Sequence, residues 1–115
     1  MVSNLSVTVK EVGGTSALVV QVAGSIDSSQ DLDAVSKIIE SSDRKLFLLS
    51  MRAVDYINSA GVGEIIAMSH TAKELGKKVC FAGIHPYVRE VFELLGGNYF
   101  VPIYESEKDA LAAAQ

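Results

Sequence analysis

The chain has 115 residues, 49% hydrophobic and 21% charged, with a formal net charge of -4. That is the length of one domain, expected to span residues 1–115 and able to bury roughly two thirds of the surface it exposes unfolded, so neither a metal nor a disulfide is needed to hold its core. An isoelectric point of about 5.0 with no block of Lys or Arg argues against a nucleic-acid groove, and no apolar run approaches the ~20 residues of a membrane span.

The first residues, MVSNLSVTVKEV, lack the basic and apolar regions of a secretory signal. A cytoplasmic protein is the expectation. Leu5, Val7 and Val9 alternate with Ser6, Thr8 and Lys10, which predicts a half-buried strand. Gly13-Gly14 reads as a turn and ALVVQVAG as a second strand, making a hairpin. The segment GSIDSSQDLD then enters a helix, with Ser28, Ser29 or Asp31 as its cap and acidic residues in its first turn, where the helix dipole favours them. Leu32, Val35, Ile38 and Ile39 form that helix's apolar stripe. LFLLSM, a short continuous apolar run, predicts a strand covered on both faces.

A second helix follows, with apolar positions at Val62, Ile65, Ile66, Ser69 or Met68, Ala72 and Leu75 and a stop at Gly76; Met68, off the main stripe, is more often core than a binding-surface residue. KKVCFAGI predicts the next strand. Its Cys80 is the only cysteine, without metal spacing, and reads as a small core hydrophobe. A third helix starts near Pro86 and closes at Gly96-Gly97, with Val88, Val91, Phe92 and Leu95 on its buried face. FVPIY is a short last strand, placed at a sheet edge by Pro102. A final helix begins after Ser106 as cap. After the hairpin, strands alternate with helices, so the expected class is α/β: a mostly parallel sheet of about five strands with four helices against it.

One stretch carries the functional signal: VDYINSAGVGEII, Val54 to Ile66. Here a buried strand turns into a helix. Asn58 and Ser59 are both good N-cap residues, and Glu64 is too far along for a capping box. In one reading Ser59 caps the helix and does nothing more. In a second it is a phosphorylation site, because a helix N-terminus with free amides favours an anion, and Ala60, Gly61 and Gly63 are small enough for another protein to approach closely. In a third it is a nucleophile. That reading lacks support: no G-x-S-x-G elbow exists, His70 is about three helical turns away, and His85 sits before Pro86 as a loop or cap residue. Nor is there a metal cluster or a phosphate-cradling glycine loop. An enzyme is not expected, and no cofactor or metal site.

Three segments together carry a family resemblance: VQVAGSID, LFLLSMRAVDYINSAGVGEII and GKKVCFAGIHPYVREVFELLG. In their order and spacing they resemble the STAS domain proteins, in particular the small bacterial anti-sigma factor antagonists, from about Leu5 to Ala110. The resemblance implies a STAS-like domain that binds an anti-sigma factor with serine kinase activity and so frees a sigma factor. It implies that the kinase phosphorylates Ser59, that the complex then separates, and that a phosphatase resets it. Asp27 and Asn58 match the family's two acidic loop positions, and Gly61 matches the glycine after the site. The partner surface implied is Asp27, Asn58, Ser59, Ala60, Gly61, Val62 and Gly63. Asn58 stands where the family commonly has Asp, and Ala60 where many members have a second Ser or Thr. The alternative is therefore a non-switching STAS subunit of another complex, such as a lipid-transport ATPase assembly.

Overall fold

A computed structural model describes residues 5–114. The expectation of no leader rests partly on residues 1–4, which lie outside the described residues. Among the described residues five strands and four α-helices are observed: β1 (Leu5–Glu11), β2 (Ala17–Ile26), α1 (Asp33–Ser41), β3 (Leu46–Ile57), α2 (Ser59–Glu74), β4 (Lys78–Ile84), α3 (Pro86–Leu94), β5 (Ile103–Tyr104) and α4 (Glu107–Ala114). Short 3-10 turns, Ser29–Leu32 and Gly97–Tyr99, precede α1 and follow α3. The order matches the pattern read from the sequence.

The sheet runs β1-β2-β3-β4-β5. β1 pairs antiparallel with β2, and the other pairings are parallel. Each parallel strand lies beside its predecessor, so right-handed crossovers that all advance in one direction carry α1, α2 and α3 onto one face. Alternate residues of the strands meet them there: Val20 and Val22 of β2, Phe47 and Leu49 of β3, Val79 and Phe81 of β4. The intervening residues Val19, Leu48, Cys80 and Ala82 point to the opposite face, where Ala110 of α4 covers them. That is the period of two expected of a sheet covered on both sides.

Three expectations are corrected. β3 does not end at Met51 but continues to Ile57. Its register against β2 shifts twice, between Gln21 and Ala23 and between Gly24 and Ser25. Each shift inserts one extra residue in β3, so its inward residues become Met51, Val54 and Ile57, three apart. That spacing hides the strand from a search for alternation. On α2, Met68 is core at 4% exposure, as its place on a helix favours, but Leu75, read as a stripe residue, is 46% exposed. On α3, Val88 and Phe92 are buried but Leu95 lies largely in solvent. Both misread leucines are C-cap residues, where the chain leaves the helix and a helical stripe no longer applies.

Smaller readings hold. Pro86 opens α3, Gly96 closes it with φ of 78°, and Ser106 Oγ accepts from the Asp109 N–H at 3.1 Å to cap α4. β5 is the sheet edge, and the Pro102 carbonyl accepts from Phe81 N–H at 2.9 Å. At a β4 irregularity Gly83 adopts φ of 94°, and the Arg52 side chain lies over it and donates to the Glu105 carbonyl. Among the described residues no helix is long and apolar enough to cross a membrane.

Cys80 is 3% exposed between the sheet and α4. Burial pushes its thiol up to about 11 from 9.0, with a smaller opposing pull from Lys78. The folded state therefore holds this proton more tightly than the unfolded state, and the resulting stability is lost as pH rises from about 9.0 to 11. Thermal melts across that range should show a steeper fall in midpoint for the wild type than for Cys80→Ala. Parallel curves would show that the thiol's environment does not favour its protonated form.

Candidate functional site

The site forms where β2 and β3 end together. Ile26 is paired with Ile57 as the last step of the ladder, so the next residues, Asp27 and Asn58, leave the sheet side by side. Parallel strands impose this: both loops emerge at the same edge, at the carboxyl end of the sheet.

Asn58 joins the two loops and starts the helix. Its N–H donates to the Ile26 carbonyl at 3.2 Å and its Nδ2 to the Asp27 carbonyl at 2.9 Å. Its Oδ1 accepts from the Gly61 N–H at 3.0 Å, and its carbonyl accepts from the Val62 N–H at 3.0 Å. With φ of -113° and ψ of -178° it has the extended backbone of an N-cap. The position needs both a donor and an acceptor. An ionised Asp would keep the cap but lose the link to Asp27. Asn in place of the acidic residue is thus accounted for by the loop it ties.

Ser59 is therefore not the cap. It is the first residue of α2, and its side chain is exposed. No protein group hydrogen-bonds its hydroxyl among the described residues, and helix geometry leaves the Ser59 and Ala60 amides without intrahelical partners. The positive end of the helix dipole lies here. Nothing arms the hydroxyl as a nucleophile. His70 lies eleven residues along α2, about 16 Å of helix rise, with its ring edge-on to Phe100 at 5.5 Å. His85 caps α3, its Nδ1 accepting from the Tyr87 N–H at 3.1 Å.

The residues assigned to the partner surface divide by exposure. Asp27, Ser59, Ala60 and Gly63 are exposed and Asn58 is half-buried, whereas Gly61 and Val62 are buried. Gly61 does not open the surface to a partner, as its small size had suggested. It lets α2 pack onto the strand ends: a Cβ there would stand 2.7 Å from Ile26 Cγ2, 2.9 Å from Ile57 Cγ1 and 3.1 Å from the Ile26 carbonyl. A Cβ on Gly63 would meet nothing within 4 Å. Gly63 is the glycine that leaves the approach open.

Asp31 shapes the Asp27 loop. Its carboxylate accepts from the N–H groups of Asp27 at 3.0 Å and Ser28 at 3.2 Å. The Ser29 side chain, also a candidate cap in the sequence, lies outside the described residues. Hydrogen bonding to the Asp31 carboxylate, reinforced by its charge, raises the Asp27 carboxyl above its ordinary value. The sequence signalled Asp31 only as a possible cap, and nothing in it signalled the bond from Asn58 to Asp27. Among the described residues no group of three or more His, Cys, Asp or Glu is placed to hold a metal ion.

A family model described as STAS domain matches residues 6–110. A relative in Bordetella bronchiseptica, named putative anti-sigma factor antagonist BtrV, is 24% identical over 110 residues, covering 95% of this chain and 94% of its own. The crystal structure of an anti-sigma factor antagonist from Mycobacterium paratuberculosis superimposes with a TM-score of 0.72 at 26% identity, over 95% of this chain and 92% of that one. The anti-sigma factor antagonist SpoIIAA in its unphosphorylated form gives 0.73 at 17% identity, over 95% and 96%. The phosphorylated form of this Bacillus protein gives 0.65 at 16%, over 96% and 100%.

Two substitutions test the geometry. Asn58→Ala removes the cap and the loop tie and should lower the unfolding free energy by about 1–2 kcal/mol. Gly61→Ala should cost about 1–3 kcal/mol, because its methyl meets two branched side chains and a carbonyl. Urea titrations measure both. A neutral Gly61→Ala would mean that α2 does not pack this closely.

Proposed function

This chain belongs to the STAS domain family, and on that premise we propose that it is an anti-sigma factor antagonist: it binds an anti-sigma factor with serine kinase activity, frees the sigma factor, and is switched off by phosphorylation of Ser59. The observation that carries this reading is the division of roles at the start of α2. Asn58 does the capping, so the Ser59 hydroxyl is exposed at a helix N-terminus and has no partner among the described residues. The relatives named anti-sigma factor antagonists support the partner class, and SpoIIAA, described in both phosphorylation states, supports the switch.

A phosphate on Ser59 adds a charge of about -1.5 to -2 next to unpaired amides and a favourable dipole. The fold has no reason to open. A partner closed over Asp27, Ser59, Ala60 and Gly63 meets that charge in a desolvated contact. A penalty of about 3 kcal/mol there weakens binding roughly a hundredfold. The chemistry asked of this chain is that of a substrate and binder, with the catalytic groups on the kinase. Ala60 leaves Ser59 as the only hydroxyl in the first turn, so no second site in that turn substitutes for it.

The test is intact mass and peptide mapping after incubation with ATP and anti-sigma factor kinases from the same genome. One phosphate on Ser59 is expected, absent in Ser59→Ala. Ser59→Asp should weaken the complex by tenfold or more while keeping the thermal midpoint, because an acidic first turn suits the helix. A kinase that binds tightly yet never labels Ser59, together with full binding by Ser59→Asp, would remove the switch and leave a constitutive binding module.

A further inference from the structure

Beside the Ser59 surface runs a cleft between α1 and α2 with a volume of about 240 Å³. Its floor is made by Ile39 and Met68, only 1% and 4% exposed, with the exposed Ala67 beside them. Three carboxylates line it, Asp33 and Glu40 from α1 and Glu64 from α2. Among the described residues none of the three is in a salt bridge. The Lys77 ammonium near the end of α1 is turned to the carbonyls of Ile39, Glu40 and Ser42. Among the described residues no basic side chain lines the cleft.

The cleft is continuous with the proposed interface. Ala60, Glu64, Ala67 and Thr71 follow one another at spacings of four, three and four, a single stripe along α2. Glu64 stands about 6 Å of helix rise beyond Ala60, which itself adjoins Ser59. A partner closed over the start of α2 reaches the mouth of the cleft without turning.

We propose that this cleft docks a basic amphipathic segment of the protein that reads Ser59, and this rests on the function proposed above. One or two apolar side chains of that segment sit over Ile39, Ala67 and Met68. Lys or Arg residues flanking them face Asp33, Glu40 and Glu64. Ala67 and the edges of Ile39 and Met68 give that segment a small apolar seat. The carboxylates set orientation and raise the encounter rate, and they make the contact sensitive to salt. The cleft therefore holds a part of the partner that a phosphate on Ser59 does not touch.

The probe is a short amphipathic helical peptide of Leu and Lys, with a Leu and Glu peptide as control, titrated into nitrogen-15-labelled protein. The basic peptide should shift the amides of Asp33, Glu40, Glu64 and Ala67, and the acidic peptide should not bind. The triple variant Asp33→Asn, Glu40→Gln, Glu64→Gln should weaken the basic peptide about tenfold, the size expected of three exposed charge pairs. Asp55→Asn, Glu90→Gln, Asp109→Asn makes the same change in net charge elsewhere and should leave binding intact. The cleft triple should also weaken the kinase complex by a similar factor, and Ser59→Asp should leave peptide binding unchanged. Shifts centred on the exposed Leu94, Tyr99 and Phe100, equal losses in both triples, or no binding would overturn the cleft assignment. The two proposals fail separately: Ser59 labelled by a kinase without peptide at the cleft keeps the switch alone, and the reverse keeps the cleft alone.

Discussion

The parallel alignment of β2 and β3, with Ile26 opposite Ile57, is the constraint on which the site depends. It brings two loops 31 residues apart to one place and lets a single amide side chain bridge them. It also builds the seat for α2. The helix lies so close to the two isoleucines that a side chain at position 61 would force them to shift. Once the strand ends and Gly61 are in contact, the axis and rotation of the first turn are set, and Ser59 faces solvent.

The two physical demands that the proposed switch makes, a stable fold and an accessible hydroxyl, fall to different neighbours. Asn58 satisfies the helix and the Asp27 loop, so Ser59 has no structural duty. A hydroxyl that also capped the helix would couple modification to stability, because phosphorylating it would disturb the cap. Here an added anion falls where the dipole already favours one. Under the function proposed above, stability and recognition are separated within two consecutive residues. The cleft beyond Glu64 extends the same surface with a different chemistry, an apolar floor and fixed negative charge.

Much of this architecture was legible as local pattern. The first half of β1, where Leu5 and Val7 alternate with exposed residues while Val9 is 48% exposed, the apolar stripe at Leu32, Val35 and Ile39, Pro86 at the start of α3, and Ser106 before α4 each announce themselves through a period or a cap. The misreadings of periodicity in β3 and at the helix ends share a cause. Met51, Val54 and Ile57 face inward three apart because β3 bulges against β2, and Leu75 and Leu95 face out because their helices have just ended. In each case the local period was altered by a contact or a chain direction that a short window of sequence does not contain. The resemblance to the STAS family located the loops but said nothing of how they touch.

By itself the sequence determined the element types, the order that calls for a parallel sheet, and the position of a small-residue helix start carrying one serine. These follow from side-chain chemistry and spacing along the chain. Only the tertiary structure decided that Asn58 caps and Ser59 does not, that Gly61 serves packing while Gly63 leaves the surface open, and that Asp33, Glu40 and Glu64 share one cleft. Asn58 and Ser59 have similar intrinsic capping strength. The choice between them rests on the Asp27 carbonyl and the Ile26 side chain, which the chain brings to α2 only by folding.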